Sequence, residues 1–288
     1  MTTPSILRRF SCLLAATAAI SSVGAQTVYL NDTFENDTLG AAPATAAAAR
    51  QTTIITGSGV IGTDQAARIN DVGGDAAYLE YNVGDAPLGS LYISFDLQNL
   101  VPNPTGSATQ PLIFGFSDWN TTTSYALNSN GTRGVGMWFY ANGASGTLRL
   151  RDDSGSSILT TTYDMTALQS VEIFINDHGT NTLAYTRPDT SGVATLAANS
   201  AAFYVNGSLL GDSMGFTMGA GTTDGDATLG RFGFYSGGTN VSDFAIDNIY
   251  ASSLSAVPEP STYAAIFGAA ALGLAAWRRR RHQAATTA

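Results

Sequence analysis

The sequence contains one cysteine, Cys12, two histidines and no lysine, so all 13 of its basic residues are arginine. A single cysteine excludes a disulfide framework, and the fold must depend on its apolar core or on bound metal. Charged residues make up only 12% of the chain, and the formal net charge is -9. An acidic chain repels phosphates, which argues against nucleic acid as a partner.

The first residues have the pattern of a secretory signal. Arg8 and Arg9 precede a mostly apolar run over residues 12–23, and small residues follow at 23–25. This order of a positive, an apolar and a small-residue region predicts a signal peptide over residues 1–25. An opening helix of the folded domain is the alternative. Removal of the signal would leave a mature chain without cysteine.

The last residues combine three features. Pro258, Glu259 and Pro260 come first, an apolar run over residues 262–277 follows, and Arg278, Arg279, Arg280 and Arg281 close it. A helix of this length spans about 24 Å, somewhat short of the ~30 Å hydrocarbon core, and snorkelling arginines would cover the difference. Because basic residues stay cytoplasmic, the pattern predicts one transmembrane helix and a cytoplasmic tail over residues 282–288.

This C-terminal arrangement, over residues 257–281, resembles the PEP-CTERM sorting signal. The resemblance implies that an exosortase recognises Pro258, Glu259 and Pro260 and removes the tail. It also implies export to the cell envelope or medium by a bacterium that makes exopolysaccharide, with transient anchoring in the inner membrane. A plain C-terminal membrane anchor is the alternative.

Residues 26–256 read as one all-β domain. Alternation of apolar and polar residues with period two is typical of antiparallel strands that have one face in a core. Asn-Gly and Gly-Gly pairs between the segments favour tight hairpins. So many short strands predict a two-sheet antiparallel jelly-roll sandwich. Residues 41–50 are expected to form a surface loop, and strands are expected at residues 52–61, 77–83, 90–97, 112–116, 135–140, 148–151, 158–163, 170–176, 183–186, 203–206, 229–235 and 244–251.

The body also resembles concanavalin-like and laminin-G-like jelly rolls. The segment Phe203-Tyr204-Val205-Asn206-Gly207 is similar to their Val-Asn-Gly hairpin, and the segments around Glu35 and Asp247 are similar to their paired first and last strands. The resemblance implies that the two ends of the body pair in one sheet. Glu35 and Asp247 would then be close enough to share a structural calcium, although calcium needs more oxygen ligands than these two.

The sequence offers little for catalysis. Residues 211–215 match G-x-S-x-G, but an elbow nucleophile needs a following helix and a later histidine, and the only later histidine lies in the tail. His178, the sole histidine of the body, lies in a predicted turn. We therefore expect no enzyme and no catalytic residues. A carbohydrate-active hydrolase or lyase that uses Asp or Glu is the alternative.

Binding of sugars demands less: aromatic side chains for apolar sugar faces and a few polar groups. Alternation predicts one ligand face, on the side of the strands away from the core, that comprises Tyr92, Asp96, Trp138, Tyr140, Glu172 and Asn176. Burial of Trp138 and Phe174 beneath a second layer is the alternative. The sequence thus predicts an exported, non-catalytic protein of the extracellular polysaccharide matrix that binds carbohydrate weakly, with a purely structural envelope protein as a further alternative.

Overall fold

The computed structural model describes residues 26–57, 61, 64–72, 76–83, 88–100, 111–118, 134–141, 146–152, 154–164, 167–215, 229–237, 242–254 and 272–273. One compact unit spans Gln26–Leu254. The other consists of Met1–Ala25 and Ser255–Ala288, in which Leu272 and Gly273 are the described residues. The predicted signal peptide and the predicted transmembrane helix over residues 262–277 therefore lie outside the described residues. No helix among the residues described above has the length and hydropathy to cross a bilayer.

The compact unit is built from strands. In chain order these are β1 Val28–Asp32, β2 Ala48–Arg50, β3 Thr52–Thr56, β4 Gln65–Asp71, β5 Ala77–Asn82, β6 Ser90–Asn99, β7 Leu112–Asp118, β8 Gly136–Tyr140, β9 Gly146–Arg151, β10 Ser157–Tyr163, β11 Gln169–Asn176, β12 Leu183–Thr186, β13 Val193–Leu196, β14 Ser200–Val205, β15 Ser208–Gly215, β16 Leu229–Ser236 and β17 Ser242–Ser252.

The described strands form two large sheets and one hairpin. The eight-stranded sheet has the order β15-β14-β11-β6-β17-β4-β3, and β1 also pairs with β17. The seven-stranded sheet has the order β10-β9-β8-β7-β16-β5-β2, and β12 and β13 pair separately. Every pair of these strands is antiparallel. The pairing of β1 with β17 confirms that the two ends of the body lie in one sheet.

The two sheets pack face to face through the apolar side chains that the alternation places inward. Burial alternates residue by residue along β6, where Leu91, Ile93, Phe95 and Leu97 are buried. The ring of Phe95 on the eight-stranded sheet lies 5.2 Å from that of Phe114 on the seven-stranded sheet. The body is therefore the all-β jelly-roll sandwich that the sequence predicts.

A second, smaller core lies on the other side of the eight-stranded sheet. Phe174, Ala202 and Tyr204 of that sheet are buried together with Tyr185 of β12 and Leu196 of β13. The hydroxyls of Tyr185 and Tyr204 lie 2.9 Å apart and share a hydrogen bond. The β12–β13 hairpin thus covers part of the outer face of this sheet, which confirms the burial that was the alternative for Phe174.

Local turn chemistry and tertiary pairing each decide some of the strand ends. Asn206 and Gly207 have φ of 50° and 70°, the left-handed pair of a tight hairpin, and connect β14 to β15. The predicted loop at residues 41–50 is wrong at its end, because β2 pairs with β5 there. The three residues of β2 carry no period-two signal, so their strand conformation depends on the neighbouring strand.

Candidate functional site

The structure divides the predicted ligand face between the two sheets. Tyr92 and Asp96 lie on β6 and Glu172 and Asn176 lie on β11, which are neighbours in the eight-stranded sheet. Trp138 and Tyr140 lie on β8, in the seven-stranded sheet. The prediction of a single face is therefore wrong. Alternation places a side chain inside or outside the sandwich, but it does not state to which sheet a strand belongs.

The side chains of the four residues on the eight-stranded sheet already contact other groups of the protein. The Tyr92 hydroxyl donates to Glu172 Oε2 at 2.8 Å, and the Tyr92 ring packs 5.0 Å from that of Phe174. Burial is the main cause of the raised pKa of Tyr92. Asp96 Oδ2 accepts from Asn248 Nδ2 at 2.9 Å.

Asn176 has a structural position in the same sheet. It is fully buried, and its Nδ2 donates to the carbonyls of Asn181 and Ala197, each at 2.8 Å. These bonds connect the end of β11 to the chain around the β12–β13 hairpin. Its side-chain amide therefore has no surface from which to contact a ligand.

The outer face of the seven-stranded sheet carries the other two predicted residues. Trp138 and Tyr140 are half-buried, and their rings lie 6.2 Å apart at an interplanar angle of 29°. The guanidinium of Arg151 lies 3.9 Å from the ring centroid of Trp138, and that of Arg149 lies 4.7 Å from the ring centroid of Tyr140. We call Trp138, Tyr140, Arg149 and Arg151 the aromatic–arginine patch.

The strand register explains how the aromatic–arginine patch is assembled. Trp138 and Arg149 are direct partners across β8 and β9, so they share one face of the sheet. Arg151 lies two residues beyond Arg149 and reaches Trp138 along the diagonal. Arg149 and Arg151 were not among the site residues predicted from the sequence. They alternate with the buried Leu148 and Leu150 along β9, and this period-two pattern could have placed them on the outer face.

A buried ion pair lies elsewhere on the same outer face. Arg231 of β16 donates to Glu80 of β5, and both side chains are almost completely buried. The flanking residues Tyr81 and Phe232 belong to the core between the sheets, so alternation directs Glu80 and Arg231 away from that core. The sequence did not single out this pair, because neither residue is near the other in the chain.

Asp247 lies among other carboxyl groups at the junction of the first and last strands. Burial, and then the charges of Glu35, Asp96 and Asp32, raise its pKa to about 6, although the backbone N–H of Asn248 acts in the opposite direction. That N–H donates to Asp247 Oδ1 at 2.7 Å. In the part of the chain that the structure describes, no group of three or more His, Cys, Asp or Glu residues is arranged to hold a metal. The calcium site at Glu35 and Asp247 stays a prediction.

We expect Asp247→Asn to stabilise the fold at neutral pH. The carboxyl holds its proton more tightly when folded, with a pKa of about 6, than when unfolded, near 3.8. The wild type therefore gains stability relative to the variant as the pH falls through this interval, because the folded state binds the proton better. Urea midpoints between pH 4 and 7, in EDTA, measure this: the advantage of the variant should shrink on acidification. A constant difference across the range, or an equal effect of the exposed Asp212→Asn, would contradict it.

The G-x-S-x-G match is not a nucleophile elbow. Residues 211–215 lie within β15, where Ser213 is exposed, instead of at a turn between a strand and a helix. His178 lies in the short connection between β11 and β12. Its ring occupies the space that a side chain at position 89, now Gly89, would need. Neither feature has the geometry of an acyl-transfer site.

Comparison with known proteins identifies the C-terminal segment. Residues 256–281 match the family described as "PEP-CTERM protein-sorting motif". This confirms the prediction made from Pro258, Glu259, Pro260 and the four terminal arginines. The chain is an exported protein that an exosortase sorts. No curated protein matches the sequence.

Several solved structures are similar to the body. The endo-β-1,4-glucuronan lyase of the fungus Trichoderma reesei has 11% identity, a TM-score of 0.46, and coverage of 81% of this chain and 99% of its own. The Emp47p carbohydrate recognition domain has 11% identity and a TM-score of 0.47, and the match covers 80% of this chain and 98% of that domain. The alginate lyase vAL-1 of a Chlorella virus has 6% identity and a TM-score of 0.46, and the match covers 73% of this chain and 94% of the lyase. At these identities and TM-scores the similarity establishes neither function nor binding residues.

Proposed function

We propose that this protein is a non-catalytic component of the extracellular polysaccharide matrix, and that it binds carbohydrate through the outer face of its seven-stranded sheet. This proposal rests on the aromatic–arginine patch, in which Trp138 and Tyr140 are only half-buried on the side of the sheet away from the core. The eight-stranded sheet is the weaker candidate, because the β12–β13 hairpin and the Tyr92–Glu172 bond occupy its outer face.

Polar groups next to the aromatic–arginine patch suit the same role. Thr160 pairs with Arg149 and Thr162 pairs with Thr147 across β10 and β9, and both of these β10 side chains are exposed. Directly paired residues share a face, so these hydroxyls lie on the same surface as the patch. Aromatic rings with a few oriented polar groups are what sugar recognition requires.

Binding is tested with the exported protein purified from the producing cells, on an array of polysaccharides and oligosaccharides. We expect Trp138→Ala with Tyr140→Ala to reduce binding about tenfold or more, since buried contacts of aromatic side chains dominate such interfaces. Tyr250→Ala is the matched control, because this half-buried aromatic packs against Tyr92 on the other sheet. Unchanged binding by the double variant would refute the proposed surface, and release of reducing ends from the polysaccharide would favour the enzyme alternative.

Sorting is tested separately at the C-terminal motif. Replacement of Pro258, Glu259 and Pro260 by alanine is expected to abolish removal of the tail, so that the chain stays in the inner membrane. The intact mass shows whether the N-terminal signal and the C-terminal tail have been removed, and cell fractionation shows where the chain accumulates. Replacement of Ser261 by alanine is the control. A triple variant that is processed and distributed like the wild type would contradict recognition of this motif.

A further inference from the structure

Some arginines of the body pair with carboxylates, and two neighbouring ones on β9 differ from them. Residues 26–256 contain seven arginines and 21 acidic residues, a balance of 7 − 21 = −14. Arg68, Arg187 and Arg231 form ion pairs with Asp243, Asp189 and Glu80. In the described part of the chain, Arg149 and Arg151 form no such pair. In so acidic a domain, two neighbouring arginines that have no carboxylate partner among the described residues are an unexpected arrangement.

The structure holds these two guanidiniums in place through aromatic rings. Each lies over a ring, at 3.9 Å for Arg151 on Trp138 and 4.7 Å for Arg149 on Tyr140. The Nε atoms of both are buried and have no hydrogen-bond acceptor among the described residues. Stacking preorganises the planar guanidinium, so less side-chain entropy is lost when it binds an anion. The stacking also covers one face of each ring, which favours recognition by charge over simple stacking of a sugar.

Electrostatics supplies the second step. Arg149 and Arg151 are two residues apart on β9 and project from the same face, so their positive charges repel each other. An anionic group that bridges or lines both would relieve this repulsion and accept charge-assisted hydrogen bonds from the guanidiniums. The negative charge of the rest of the body restricts such attraction to this patch, so an anionic chain gains affinity only through the groups that contact it.

We propose that the aromatic–arginine patch binds an acidic polysaccharide through the carboxylates of its uronic-acid units. Arg149 and Arg151 donate charge-assisted hydrogen bonds to the carboxylates, and the exposed hydroxyls of Thr160 and Thr162 lie beside them to bind the sugar hydroxyls. The patch lies on β8 and β9, beside β10 at the end of the described sheet order, and its side chains follow the strands in a row, as the units of a chain polymer do. This inference rests on the proposed carbohydrate-binding function and adds its ligand class.

The test measures binding of the purified exported protein to polygalacturonate, neutral dextran, dextran sulfate and polyglutamate at two salt concentrations. We expect polygalacturonate to bind at least about tenfold more tightly than dextran, with affinity falling as salt increases. Arg149→Gln with Arg151→Gln should lose about tenfold to a hundredfold for polygalacturonate and leave dextran unchanged. Arg187→Gln, at an exposed ion pair, is the matched control and should bind like the wild type.

The outcomes separate the two proposals. Equal binding of dextran and polygalacturonate would leave the carbohydrate function in place and overturn the acidic ligand. Equal or better binding of polyglutamate or of dextran sulfate would also overturn it, and binding of none of the sugars would overturn both. Arg149→Lys with Arg151→Lys keeps the charge but removes the planar fork, so we expect an intermediate loss. Circular dichroism and a urea midpoint near that of the wild type verify that each variant is folded.

Discussion

Phe114→Ala should lower the free energy of unfolding by about 3–5 kcal/mol, the usual loss when a buried aromatic is truncated and a cavity remains. Phe114 is fully buried, and its ring lies 5.2 Å from that of Phe95 and 5.6 Å from that of Phe234. Phe114 therefore contributes directly to the packing of one sheet against the other. The loss matters because the mature chain is expected to contain no disulfide that would compensate for a weaker core.

Urea denaturation of the exported protein measures this loss. Val193→Ala is the control, because Val193 is 54% exposed on the β12–β13 hairpin and should change stability by less than about 0.5 kcal/mol. Phe114→Leu fills part of the cavity and should fall between the two. If Phe114→Ala cost no more than the control, the face-to-face core would not be the main source of stability.

Glu80→Ala should cost a similar amount, about 3–5 kcal/mol, for an electrostatic reason. The variant removes the carboxylate to which Arg231 donates and leaves a guanidinium buried without that partner. A charge in such surroundings cannot recover its hydration, so most of the cost is desolvation. The pair connects β16 to β5 on the outer face of the seven-stranded sheet, so its loss should weaken this part of the sheet.

A double variant separates this cause from simple loss of packing. Glu80→Leu with Arg231→Met removes both charges and should cost less than Glu80→Ala alone, because no buried charge remains. Arg187→Met, at an exposed ion pair, should leave the urea midpoint unchanged. Equal losses in the single and double variants would show that side-chain volume, and not charge, is the important property.

The strands that the sequence predicted best are those with the strongest alternation. The strands predicted at residues 90–97 and 170–176 are confirmed as β6 and β11, in which Phe95 and Ile173 are buried, and the hairpin predicted at Asn206-Gly207 is confirmed. β4 and β13 were missed, because short strands with alanine or threonine carry little hydrophobic periodicity. Their pairing with neighbouring strands supplies the hydrogen bonds that the sequence pattern does not reveal.

The candidate site was predicted only in part. Trp138 and Tyr140 lie on an outer face as alternation requires, whereas Asn176 is buried by chain that follows it in the sequence. Arg149 and Arg151 gain their significance from the rings beneath them and from the absence of a carboxylate partner in the described residues. Both properties depend on which strands are neighbours.

By itself the sequence determined how this protein is sorted and the class of its fold. A sorting signal is a linear order of residues that another protein reads, and strand alternation is a local property of the backbone. Only the tertiary structure decided which strands share a sheet, which outer face a hairpin covers and which arginines lack an acidic partner among the described residues. Those features arise from contacts between residues far apart in the chain, and a local pattern contains no information about such contacts.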